Sequence, residues 1–156
     1  MADLPRDVVL RSILTLLAEG FEGPEDPKHT WFVNNEAGCG VFGTLDRLSA
    51  AEASREPGPG RSTAAAHAEH LRFSLDLYTR FVRGEKVRVD WAESWETQTV
   101  DAARWDTLRA GLRREYDAFV RAVGELADPV PPLVLTGLMG CGAHTAYHLG
   151  ALRQIA

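Results

Sequence analysis

Apolar residues recur at helical spacing in four long stretches of the chain. Between Pro5 and Phe21, the residues Val9, Ile13, Leu16 and Leu17 share a stripe. Asp3 can cap that helix and Pro5 suits its first turn. Ser62 to Arg83 predicts a second helix, with Ser62 as N-cap and Gly84 as stop. At roughly 100° per residue, Glu69, Arg72, Asp76, Arg80 and Arg83 crowd one narrow arc of it. His67, His70, Leu71, Phe73, Leu75, Leu77, Tyr78, Phe81 and Val82 fill an opposite arc of roughly 200°. From Asp101 to Leu126, the residues Trp105, Leu108, Leu112, Tyr116, Phe119 and Val123 alternate by three and four, the pattern of a bundle seam. The last helix begins between Pro132 and Gly142 and runs to the C-terminus.

The intervals are less regular. A Gly/Pro-rich stretch, Glu22 to Lys28, is followed by Trp31 and Phe32 and then by a short helix over Val41 to Ala53 that holds Phe42, Leu45 and Leu48. Pro57, Gly58, Pro59 and Gly60 end it. Residues 85–100 read as a connection with Trp91 and Trp95 four apart, room for one helical turn. No strand is expected, because the valines at 87, 89, 130 and 134 are too scattered. The pattern predicts one all-α domain over residues 1–156, a four-helix bundle running up and down with an extra short helix in its long first connection.

Composition narrows the function classes. Acidic residues number 22 against 17 basic, for a formal charge of -5. A surface built to neutralise phosphates should be basic, so no nucleic-acid partner is expected. Cys39 and Cys141 are too few for a disulfide framework and fit free thiols in the reducing cytoplasm. Asp3, Arg6, Asp7 and Arg11 break any secretory apolar core at the N-terminus, so no signal peptide is expected. Pro129 to Leu152 carries no Asp, Glu, Lys or Arg, yet it holds Pro131, Pro132, four glycines and two histidines. Burying both imidazoles in lipid is costly, so the segment reads as a core helix with no membrane role.

Those histidines carry the chemistry. His144 and His148 stand i, i+4 on one helix face, with Cβ atoms roughly 6 Å apart. Two nitrogens at that spacing can share one metal ion, whose bonds to them are about 2.0–2.1 Å. Hydrogen-bonded core histidines would satisfy the same burial. An inward imidazole from His70 or His67 would complete a three-histidine set, which leaves open positions for water or substrate. His29, in a polar loop, reads as a surface residue, and Cys141 as a small core residue rather than a soft ligand. Glu115 flanks an apolar stripe; it could orient a ligand histidine but fits an exposed flank better. Trp91 and Trp95 are expected to close one end of the core, and forming a pocket wall is their second reading.

Three segments together resemble the DinB/YfiT-like superfamily: His-Ala-Glu-His-Leu-Arg-Phe-Ser-Leu (67–75), Asp-Trp-Ala-Glu-Ser-Trp (90–95) and His-Thr-Ala-Tyr-His-Leu-Gly-Ala-Leu-Arg-Gln (144–154). The resemblance implies a four-helix bundle in up-down-down-up order, which differs from plain up-and-down. It also implies one divalent metal held by a histidine of the second long helix and two of the last. On this sequence those are His144, His148 and, because the apolar run Leu71 to Leu77 follows it, His70, with His67 as the alternative. Zinc, nickel, iron and manganese all suit such a site. Relatives with assigned activity include thiol-dependent transferases and an isomerase. The implied function is therefore a metal-dependent transferase that takes a low-molecular-weight thiol as cosubstrate and acts on a small molecule. A metal-dependent hydrolase and a non-catalytic metal-binding or stress-response bundle are the alternatives. A homodimer is expected from the wide apolar arc of the second helix and from the family's habit of pairing.

Overall fold

The computed structural model describes residues 4–156. The Asp3 cap lies outside them. Six α-helices follow one another: α1 (Arg6–Glu22), α2 (Val41–Asp46), α3 (Ala50–Ala53), α4 (Ala64–Val82), α5 (Ala102–Gly124) and α6 (Pro132–Ile155), with a 3-10 turn at Glu93–Trp95 between α4 and α5. Among the described residues there is no strand; Asp26 and His29 form one isolated bridge. The fold is all-helical. α4 packs along α5 and α6, α1 lies along α6, and the short α2 fills in between α1, α5 and α6.

Local chemistry explains most boundaries. The expected single helix over Val41–Ala53 is two, because Ser49 and Glu52 form a capping box that restarts the chain at Ala50. α4 starts one residue later than expected. Thr63, not Ser62, is its cap, accepting the Ala66 N–H while donating to the Gln98 carbonyl at 2.8 Å. Its end is the expected glycine: Gly84 has φ +77, with Gly84 N–H bonded to the Phe81 carbonyl and Glu85 N–H to that of Arg80. α6 begins at Pro132, in the first turn where proline's missing N–H costs nothing. No helix among the described residues is long and apolar enough to cross a membrane.

Two faces differ from the sequence pattern. On α1 the buried row is Leu10, Leu17 and Phe21, while Leu16 is exposed and Val9 and Ile13 are half-buried. The i, i+7, i+11 row meets the other helices; Leu17 of the predicted stripe belongs to that row, while Val9, Ile13 and Leu16 sit beside it on an open groove against α6. On α4 the charged arc is narrower than expected. Glu69 is buried, and the Arg72 guanidinium grips it with Nε–Oε2 3.0 Å and Nη2–Oε1 2.6 Å.

The long first connection is tied down by a buried carboxylate. Glu19 accepts the backbone N–H groups of Trp31, Phe32 and Val33 at 2.8 to 3.1 Å. In Glu19→Ala the buried Val33 N–H loses its partner, at a cost of about 1–3 kcal/mol. Denaturant unfolding should show that loss, and an unchanged midpoint would contradict the role given to Glu19.

Candidate metal centre

α4 and α6 face each other with two histidines apiece. His67, His70 and His148 are buried and His144 is half-buried. His144 Nε2 lies 3.0 Å from His70 Nε2 and 2.9 Å from His148 Nε2. One nitrogen from each of these three rings lies within 4.8 Å of the others, close enough to hold a single ion. His67 is placed differently. Its Nδ1 is 2.9 Å from His148 Nδ1, at the other nitrogen of that ring.

The surrounding bonds determine which nitrogens carry protons. Ser94 Oγ donates to the Trp91 carbonyl at 2.7 Å, so its lone pair accepts from His70 Nδ1–H, also at 2.7 Å. His70 Nε2 is then left as a lone pair. The same logic lets His148 donate Nδ1–H to His67 and keep its own Nε2 lone pair. Trp95 stacks on the His70 ring at 4.1 Å and 19°, fixing its plane. Both tryptophans thus flank the histidine cluster instead of closing an end of the core; Trp91 lies 5.8 Å from His70 and is half exposed.

Without a cation, the single Nε2–H of a neutral His144 faces two lone pairs, at 3.0 and 2.9 Å, and can fully satisfy only one of them. Burial, then the charges of His144 and His67, push His70 down to about 4. Burial, then His144, His70 and His67, push His148 down to about 3. His67 and His144 are lowered by burial alone. All four rings are neutral at pH 7, the state in which imidazole ligates metal. A divalent cation fits the donor set: three uncharged borderline nitrogens, two of them aimed by bonds at their far sides.

The other candidates lie elsewhere. His29 is exposed, and its Nδ1 meets Asp26 Oδ2 at 2.9 Å. Cys141 is a buried thiol pushed up to about 12 by desolvation, and it stays protonated. Cys39 is buried too, its thiol donating to the Asn34 carbonyl. Glu115 is half-buried and its charge acts on Arg72. Sequence reasoning did not single out Ser94. Its signals were a small hydroxyl residue between two tryptophans in a segment with no periodicity, and its place inside the 90–95 segment that carries the resemblance.

A family model described as the DinB superfamily matches residues 41–152, more than half of the chain and all four clustered histidines. No curated protein and no solved structure gives a match.

The proton accounting predicts a pH dependence for the metal-free chain. A histidine whose folded pKa lies below the ordinary 6.5 binds fewer protons folded than unfolded, so its contribution is complete above pH 6.5 and is lost below it. Melting temperatures in chelator should hold from pH 8 to 6.5 and fall progressively toward pH 4. His70→Phe should flatten that fall. A wild-type melt independent of pH across the interval would contradict the buried, neutral cluster.

Proposed function

Because the chain belongs to the DinB superfamily, we propose that it is a metal-dependent enzyme that transfers a low-molecular-weight thiol to an electrophilic small molecule. One divalent cation, zinc, nickel, iron or manganese, is held on the Nε2 atoms of His70, His144 and His148. The observation that carries this reading is the convergence of those three nitrogens within 4.8 Å, with the outer nitrogens of His70 and His148 already engaged. When bound, the cation supplies the positive charge that keeps a thiol deprotonated at neutral pH. Among the described residues no carboxylate or cysteine joins the three imidazoles. The protein therefore adds no negative charge of its own, which favours an anionic sulfur as the further ligand. The same absence of a carboxylate leaves His67, whose Nδ1 is already engaged by His148, as the one cluster imidazole outside the ligand set that could act as a base for water.

Ser94 and His67 hold two ligand rings in their metal-ready tautomers, and Trp95 keeps water off the face of His70. The four long helices α1, α4, α5 and α6 read as the up-down-down-up bundle, with α2 and α3 in its first connection. A cytoplasmic, homodimeric state belongs to the same reading. The extra apolar width of α4 is half-buried, so pairing is better served by the groove of α1 and α6, where Leu16, Phe32 and Met139 are exposed.

Elemental analysis of untagged protein should find one divalent ion per chain, lost in His144→Ala and His148→Ala. His70→Ala should weaken binding more than His67→Ala. Full occupancy in the His144→Ala/His148→Ala double variant would contradict the site. The loaded protein should consume thiol with a model electrophile only when metal is present. Metal-dependent cleavage of esters or amides without thiol would replace transfer by hydrolysis, and a loaded protein active in neither assay would remove the enzyme reading. Light scattering should give twice 17.1 kDa, reduced to the monomer by Leu16→Glu with Met139→Glu; a wild-type monomer at micromolar protein would refute pairing.

A further inference from the structure

Seven residues from the histidines along both helices, roughly 10 Å at 1.5 Å per residue, the wall between α4 and α6 opens into a second space. Leu77 and Phe81 line it from α4 and Gly137 from α6, while Val87, Val89 and Trp91 of the following connection close it. Its volume is about 410 Å³, near the low end for small-ligand pockets. The one charged lining residue is Glu85, and Arg80 already holds that carboxylate at 3.2 Å. The Thr136 hydroxyl is bonded back to the Pro132 carbonyl. The lining thus offers no cation to an anion, and apart from the Tyr78 phenol, the Trp91 indole and Thr136 its uncharged side chains are apolar.

Two residues belong to both places. Tyr78 lines the space, and its ring is 6.5 Å from the His144 ring. Trp91 lines it as well, with its ring 5.8 Å from that of His70. Tyr78 and Trp91 are thus the shared partition between the three imidazoles and these apolar surroundings. Gly137 keeps that space in shape, since a Cβ there would come within 2.8 Å of Phe81 Cε1.

We propose that this cavity is the substrate subsite of the histidine centre, and that it selects an uncharged apolar group, an aryl or short alkyl tail, on the molecule acted upon. The assignment rests on the metal-dependent reading above and deepens it. It places the electrophile's apolar part here and leaves the polar thiol outside.

The test uses two pairs of probes. Zinc-loaded protein should bind 3-phenylpropionohydroxamate at least tenfold more tightly than acetohydroxamate, a difference of about 1.4 kcal/mol. Leu133→Trp, at an exposed rim position, should reduce that advantage below threefold while zinc stays at one per chain. Gly137→Ala, which forces the Phe81 ring to move, is the second variant. Equal affinity for the two hydroxamates in protein that holds zinc would overturn the subsite and leave the metal reading intact. Fluorine NMR on chelator-treated protein separates the two readings from the other side. 4-Fluorotoluene should bind, lose affinity in Leu133→Trp, and bind more tightly than 4-fluorobenzoate. That result in a chain that takes up no zinc would keep the apolar site while the metal reading fails. No binding of 4-fluorotoluene, or equal binding of the benzoate, would overturn the proposal.

Discussion

Four imidazoles share one buried wall with no opposing charge, and most of the surrounding structure follows from that constraint. Burial keeps every ring neutral. Neutral rings must each place one proton and one lone pair, and a buried ring with neither satisfied is costly. The protein meets the requirement from the outside inward. Ser94 fixes the proton of His70, and His67 gives His148 an acceptor for its own. What is left at the centre is a set of nitrogens that repel one another unless a cation or a proton lies between them.

That arrangement depends on segments distant in sequence. Ser94 sits on the 3-10 turn of an otherwise irregular connection, which would be a poor place for a precise contact if it were free. It is pinned at its far end. Thr63, the cap of α4, bonds the Gln98 carbonyl, and Ser54, whose hydroxyl donates to the Ala50 carbonyl at 2.7 Å, accepts the Val100 N–H at 2.9 Å. The cap that starts α4 thus also anchors the turn that orients the histidine of α4. From the other side, Gly20 lets α1 come close to α6 beside His144; a Cβ there would stand 3.1 Å from Thr145 Cγ2. The Glu19 carboxylate next to it locks the Trp31–Val33 loop over the same junction.

The long helices and the inward turn of four histidines were legible because both are periodic. A stripe at three and four residues needs no tertiary knowledge, and neither does a pair at i, i+4. The division of labour between His67 and His70 was not legible from periodicity. The two are three residues apart on one face, and only the position of α6 determines which nitrogen meets which. The role of Ser94 was hidden, and the tryptophans were singled out without their partners, for a related reason: they act from a segment without repeat, so their contacts exist only once α4 and the turn are packed. On α1 the apolar surface is wider than the core face, and pattern alone placed the core residue Leu17 in one stripe with Val9, Ile13 and Leu16 of the open groove. On α4 the same excess of apolar width reads as an interface in sequence, and in the fold Leu77, Tyr78 and Phe81 of it line an open pocket beside α6.

We propose the assignment of His70, His144 and His148 as the ligands, with His67 as the support behind His148. Anomalous diffraction from crystals of zinc-loaded protein tests it most directly. The account predicts a single zinc peak per chain bonded to the three Nε2 atoms, with His67 Nδ1 still within hydrogen-bond distance of His148 Nδ1. A peak bonded to His67, or zinc found only at surface carboxylates with the four rings unchanged, would contradict it.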